Sequence, residues 1–136
     1  MLISTKGRYA LRIMLELARH TDGEYIPLKQ ITQNQGISIK YAESILSALS
    51  REGIIEGVKG KGGGYRLAKP AENYSVGEIL RISDSSLAPV SCLECDENTC
   101  PRAADCPTLP MWEKLNSLIC GYLDGITLKD LQEKKI

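Results

Sequence analysis

The residues able to do chemistry gather in one short stretch. Cys92, Cys95, Cys100 and Cys106 stand within fifteen residues in the pattern C-x2-C-x4-C-x5-C. Four soft thiolates suit a tetrahedral zinc or the irons of an iron-sulfur cluster, whereas calcium and magnesium take oxygen ligands. The chain's one histidine, His20, lies far upstream. The spacing matches neither the two closely paired knuckles of a zinc ribbon nor the ferredoxin run, so zinc and cluster stay open on spacing alone. A disulfide that switches under oxidants is the third option. Glu94, Asp96, Glu97 and Asp105 surround the thiols. Like-charge repulsion should raise the thiol pKa values, which disfavours free reactive thiols and favours ligation to a positive centre. Cys120, outside the stretch, reads as a small apolar residue with no ligand role.

The rest of the chain must position that stretch and give it something to act on. A length of 136 residues is enough to bury roughly two thirds of the unfolded surface, so a core needs no cross-link. Five cysteines and no Phe argue against a secreted disulfide scaffold. No apolar run approaches the roughly 18 residues of a membrane span, and the opening Met-Leu-Ile-Ser-Thr-Lys lacks a signal peptide's apolar region. A cytoplasmic protein without membrane contact is therefore expected. The net charge of zero hides an asymmetry: residues 1–70 hold 11 Lys and Arg against 6 acids, and residues 71–136 hold 6 against 11, giving +5 and −5. Nucleic acid can bind only the first half. With 5% aromatics there is no stacking platform for single strands, which leaves duplex DNA as the expected partner.

The periodicity predicts a mainly α fold with a small β wing, divided into residues 1–70 and 71–136. Tyr9, Ala10, Ile13, Met14, Leu17 and Ala18 define an amphipathic helix from about Thr5 to His20, capped by Ser4 or Thr5. Pro27 should open a short second helix, and Ser38 should cap a third with the stripe Ala42, Ile45, Leu46 and Leu49, ended by Gly53. Behind this helix-turn-helix, Ile54 to Val58 and Tyr65 to Leu67 read as a hairpin around Lys59-Gly60-Lys61-Gly62-Gly63-Gly64, a basic wing that also carries Arg66. Ser75 and Glu78 match a capping box for a short helix. No period persists from Asp84 to Thr108. Pro110 then fits the first turn of a long helix striped by Trp112, Leu115, Ile119, Tyr122 and Leu123, and Thr127 caps a last short one.

A third helix of this kind enters the major groove with its N-terminal residues nearest the bases. Ser38, Lys40, Tyr41, Glu43 and Ser44 are the polar candidates there, with Lys59, Gly60, Lys61 and Gly62 approaching phosphates from the wing. Glu43 is repelled by phosphates yet can accept a hydrogen bond from a cytosine amino group. It can equally offset the helix dipole or pair with a nearby Lys. The long helix's stripe can pack against the chain's own winged helix, but readers of palindromic DNA usually need a two-fold partner, so it is assigned to a homodimer. No nucleophile motif or phosphate-binding loop is present, which argues against an enzyme.

These features together resemble the IscR-type winged-helix regulators of the Rrf family along nearly the whole chain. The shared signature is Ile3-Ser4-Thr5-Lys6-Gly7-Arg8-Tyr9-Ala10, then Ile37-Ser38 through Tyr41 and Glu43, the wing from Lys59 to Tyr65, the cysteine loop with Trp112, and Gly125-Ile126-Thr127-Leu128. The resemblance implies a dimeric regulator, a repressor, that senses iron, cluster or redox status through a 2Fe-2S cluster, or alternatively a 4Fe-4S cluster. It implies three cysteine ligands. Cys100 and Cys106 match two of them, while the usual first position falls on Glu94, between Cys92 and Cys95. The histidine ligand of the biogenesis regulators matches Leu109, so the extra cysteine replaces it. One branch of the family lacks the loop and represses cysteine-metabolism genes. Another senses nitric oxide, in some members through an acid where this chain has Arg8.

Overall fold

Four helices begin in the same way, with a Ser or Thr in extended backbone whose hydroxyl accepts the N–H three residues on. Ser4 serves Gly7, Ser38 serves Tyr41, Ser75 serves Glu78 and Thr127 serves Asp130. The computed structural model describes residues 3–95 and 97–136. Met1 and Leu2 of the opening segment, and the loop acid Asp96, lie outside the described residues.

The elements run α1 (Thr5–Ala18), α2 (Leu28–Gln35), α3 (Ile39–Arg51), β1 (Ile55–Val58), β2 (Gly64–Leu67), α4 (Val76–Asp84), α5 (Leu109–Asp124) and α6 (Leu128–Glu133), with short 3-10 turns at Ala71–Asn73, Ser91–Leu93 and Ala103–Asp105. The fold is mostly helical with one two-stranded antiparallel sheet. Strands β1 and β2 pair Ile55 with Leu67 and Val58 with Gly64, and Ile26 adds a further rung by exchanging two hydrogen bonds with Tyr65. This rung ties the hairpin to the approach to α2.

Two local expectations are corrected. Pro27 stands just before α2 in extended backbone and not inside its first turn, although its carbonyl still accepts the Ile31 N–H. The Ser75–Glu78 box is half made, because the Glu78 carboxylate turns to Lys69 Nζ at 3.8 Å. The complete reciprocal box is at α6, between Thr127 and Asp130.

Ala10, Ile13, Met14 and Leu17 of α1 pack on Ile31 of α2 and on Ala42, Ile45, Leu46 and Leu49 of α3. Tyr74, Ile79 and Leu128 complete the same core from beyond residue 70. A smaller cluster of Val76, Leu80, Leu87 and Ile126 anchors the chain where it leaves α4 for the cysteines. No helix among the described residues is long and apolar enough to cross a membrane.

Candidate nucleic-acid interface and thiol loop

The first turn of α3 and the hairpin tip present the predicted contact residues to solvent. Ser38, Lys40, Glu43, Ser44, Lys59, Gly60, Lys61 and Gly62 are all exposed, and Tyr41 is half-buried. Their roles differ in detail. Ser38 Oγ accepts the Tyr41 N–H at 3.1 Å, and Ser44 Oγ donates to the Tyr41 carbonyl at 2.7 Å, so both hydroxyls are engaged in the helix itself. The Tyr41 ring meets Tyr9 of α1 edge-on, with centroids 5.9 Å apart at 88°. Lys40, Glu43, Lys59 and Lys61 take no part in the ion pairs found among the described residues. The pairing of Glu43 with a nearby Lys is therefore not made.

In the wing, Gly60 and Gly62 adopt φ of +95° and +78°, and a Cβ on either would meet nothing within 4 Å. The left-handed turn requires glycine, and the space beyond it is open for another molecule's backbone. Arg66, by contrast, points back into the protein. It bonds Glu56 at 2.8 Å and the Gly23 carbonyl at 2.9 Å and stacks over Tyr25, so it braces the hairpin's base and is not a free wing cation.

The thiol loop lies on the opposite half. Cys92 and Cys106 are half-buried, Cys95 and Cys100 are exposed, and all are free. Among the described residues no three His, Cys, Asp or Glu side chains converge as a metal site. The donor chemistry nevertheless fits a thiophilic centre: four thiols in one loop without a competing histidine. The expectation that neighbouring acids raise the thiol pKa is overturned at Cys106, which is held below its ordinary value. The chief cause is the Thr108 hydroxyl 3.3 Å from Sγ, aided by the backbone N–H groups of Thr108 and Leu109 and by Arg102. Short-range donors outweigh acids that water screens.

Cys120 is half-buried in a polar setting, which corrects its reading as an apolar filler. Its Sγ lies 3.6 Å from Asn116 Oδ1 and beside Arg81. Arg81 in turn grips Asp124 through two hydrogen bonds of 2.6 and 3.0 Å, holding the end of α5 on α4. Gly77 makes that approach possible, since a Cβ there would collide with Asp124 Oδ1. The rest of α5 is loosely held: it contributes no buried residue, and Met111, Leu115, Leu118 and Tyr122 form an exposed apolar stripe at helical spacing.

Sequence reasoning placed Tyr9 on the stripe of α1 but missed its contact with the first turn of α3, and it missed Glu16, a buried acid. The Glu16 carboxylate accepts hydrogen bonds from Asn34 and Gln35 at 3.3 and 2.6 Å, which fixes α2 against α1. Only the position of Glu16 beside Leu17 on the apolar face could have signalled it.

Residues 3–134 match the family model Rrf2, described as an iron-dependent transcriptional regulator. The chain is 37% identical over 131 residues to the HTH-type transcriptional regulator IscR of Photobacterium profundum, covering 96% of this chain and 75% of that one. Among solved structures it is similar to CymR, the global cysteine regulator of B. subtilis, with a TM-score of 0.78, 31% identity and 98% of both chains covered. It is also similar to T. potens IscR, with a TM-score of 0.75 and 32% identity over 100% of this chain and 89% of that one. These relatives are regulators and not enzymes.

Proposed function

The chain belongs to the Rrf2 family of transcriptional regulators, and from that premise we propose that it acts as a cytoplasmic, homodimeric DNA-binding repressor whose cysteine loop holds an iron-sulfur cluster. The labour divides near residue 70: α3 and the wing read a palindromic operator in duplex DNA, and residues 71–136 supply the sensor and the dimer helix.

The observation that carries the sensing role is four free thiols in one loop of a chain whose family is described as iron-dependent. Cys100 and Cys106 are ligands, Cys92 or Cys95 is the third, and the remaining thiol takes the place that Leu109 cannot fill. A bound cluster, 2Fe-2S or 4Fe-4S, supplies a centre whose presence follows iron supply and redox state. The loop's own acids and thiolates otherwise leave negative charge uncompensated, so occupancy changes the field around the protein and with it DNA affinity. Lys59, Lys61 and Lys40 neutralise phosphates, Glu43 discriminates at base edges, and the bare Gly60 and Gly62 admit the backbone. The exposed stripe of α5 supports the dimer, because a monomer would leave it in water.

Anaerobic purification tests the sensing role. Wild type is expected to be coloured and to contain iron with acid-labile sulfide, Cys106→Ala to be colourless, and Cys120→Ala to keep the chromophore. Stoichiometric zinc without iron would move the site to a zinc-stabilised regulator, and a metal-free protein with a reversible disulfide to a thiol switch. The likeness to the B. subtilis cysteine regulator favours one second reading, control of cysteine metabolism. A metal-free protein that binds duplexes taken from upstream of cysteine-metabolism genes would support it.

A further inference from the structure

We propose that Arg8 and Arg12 of α1 form a second phosphate-binding surface, which grips the backbone of the same duplex whose groove receives α3. This rests on the DNA-binding reading above and extends it to a helix outside the helix-turn-helix.

Residues 3 to 15 contain Lys6, Arg8 and Arg12 and no acid. The first acid of α1, Glu16, is buried and tied to Asn34 and Gln35; it lines a cleft with Arg12 but makes no ion pair with either arginine. Both arginines are exposed, and the ion pairs among the described residues involve neither. Each is nevertheless held in place. Arg8 Nη2 donates to Thr5 Oγ1 at 3.0 Å, and the Arg12 guanidinium stacks 5.1 Å from the Tyr9 ring centroid. A stacked guanidinium keeps its edge donors free for a phosphate and loses little rotamer freedom on binding one.

Placement decides which phosphate. Tyr9 also touches Tyr41 in the first turn of α3, with centroids 5.9 Å apart, so the Arg12 guanidinium lies within about 11 Å of the Tyr41 ring. The major groove is about 12 Å wide. With the first turn of α3 in the groove, Arg12 reaches its rim, where the phosphates run. Thr5, Arg8, Tyr9 and Arg12 line an open cleft there of about 300 Å³, large enough for a phosphate group. Contacts of this kind fix the reading helix's angle and register without carrying sequence information.

The test is the salt dependence of binding to a labelled, mixed-sequence duplex of about 30 base pairs, measured by fluorescence anisotropy on the full-length protein. Each phosphate contact contributes about 0.9 to the log-log slope. Arg8→Gln/Arg12→Gln is expected to lower the slope by about two. Arg19→Gln/Arg51→Gln removes the same net charge from exposed positions at the far ends of α1 and α3 and should keep the wild-type slope. Lys59→Ala/Lys61→Ala reports separately on the wing. If the wing variant loses slope while Arg8→Gln/Arg12→Gln does not, the α1 surface is overturned and the wing reading stands. Equal losses from both arginine pairs would overturn it as well, since net charge alone would then explain the effect. A wild type with no measurable duplex binding, or a wing variant with an unchanged slope, would sink the underlying DNA reading instead.

Discussion

At the scale of single residues, Tyr74 does more for this molecule than its neighbourhood in the sequence announces. Its buried hydroxyl donates to the Ile54 carbonyl and accepts the N–H groups of Ala68 and Lys69, closing the exit from α3 onto the exit from the wing. Tyr74→Phe keeps the ring but removes three hydrogen bonds, leaving the Lys69 N–H without its partner while the Ala68 N–H still reaches the Ile54 carbonyl at 3.3 Å, so a loss of about 1–3 kcal/mol is expected, read as a lower denaturant midpoint at unchanged slope. Burial raises the Tyr74 pKa above the ordinary 10.0. The native state therefore favours the neutral phenol, and its contribution is intact below about pH 10 and lost as pH rises through the native pKa. The alkaline limb of the wild-type stability curve should flatten in Tyr74→Phe. The sequence hid this role because Ala71-Glu72-Asn73-Tyr74 shows no period and the carbonyl that accepts from the hydroxyl, that of Ile54, lies 20 residues upstream. Cys106 makes the same point: its flanking acids suggested a raised pKa, yet Thr108 lowers it. In reduced, metal-free protein, Thr108→Val should shift the pH profile of Cys106 alkylation by iodoacetamide to higher pH, measured by peptide mass spectrometry.

At the scale of elements, the helices were legible wherever a hydroxyl cap met an apolar stripe, as at Ser4, Ser38 and Thr127. What periodicity could not say is which side of α5 faces its own fold. The stripe read from the sequence mixes two faces: Trp112, Ile119 and Leu123 are half-buried, Leu123 against the small cluster beside α4, whereas Leu115, Tyr122, Met111 and Leu118 are exposed. The outer face is the one to probe for dimerisation. Leu118→Glu/Tyr122→Glu should leave the protomer folded, because both sites are exposed, yet cost several kcal/mol in any interface that buries the new charges. Sedimentation at micromolar concentration should show wild-type dimers and variant monomers; monomeric wild type would remove α5 from the assembly. The inner face depends on a detail no pattern reveals, the bare Cα of Gly77 under Asp124. Gly77→Ala should break the Arg81–Asp124 clasp and lower the melting temperature despite the better helix propensity of alanine.

At the scale of the whole molecule, the charge boundary near residue 70 is not a boundary of packing. Tyr74, Ile79 and Leu128 from the acidic half sit in the same core as Ala10, Ile13 and Leu49 from the basic half, so neither half can lose its packing while the other keeps it. Charge patterning therefore marks the proposed division of functions and not a division of the fold. The long helix is the exception, since it has no buried residue and its order relies on the short seam with α4 and on whatever covers its outer face. With α5 paired across the proposed homodimer, association stabilises the folded protomer, and the stability of the wild type is expected to depend on protein concentration. A roughly hundredfold increase in protein is worth about 2.7 kcal/mol per dimer, which for two chains of 136 residues raises the melting temperature by about 5 °C. Far-UV circular dichroism and Trp112 fluorescence should report the same midpoint and shift together in the wild type. In Leu118→Glu/Tyr122→Glu the midpoint should not move with concentration, and Trp112 on the unsupported α5 should lose its signal before the core melts. Coincident, concentration-independent curves for both proteins would mean that the α4 seam alone holds α5, and that its apolar stripe has no partner of its own kind.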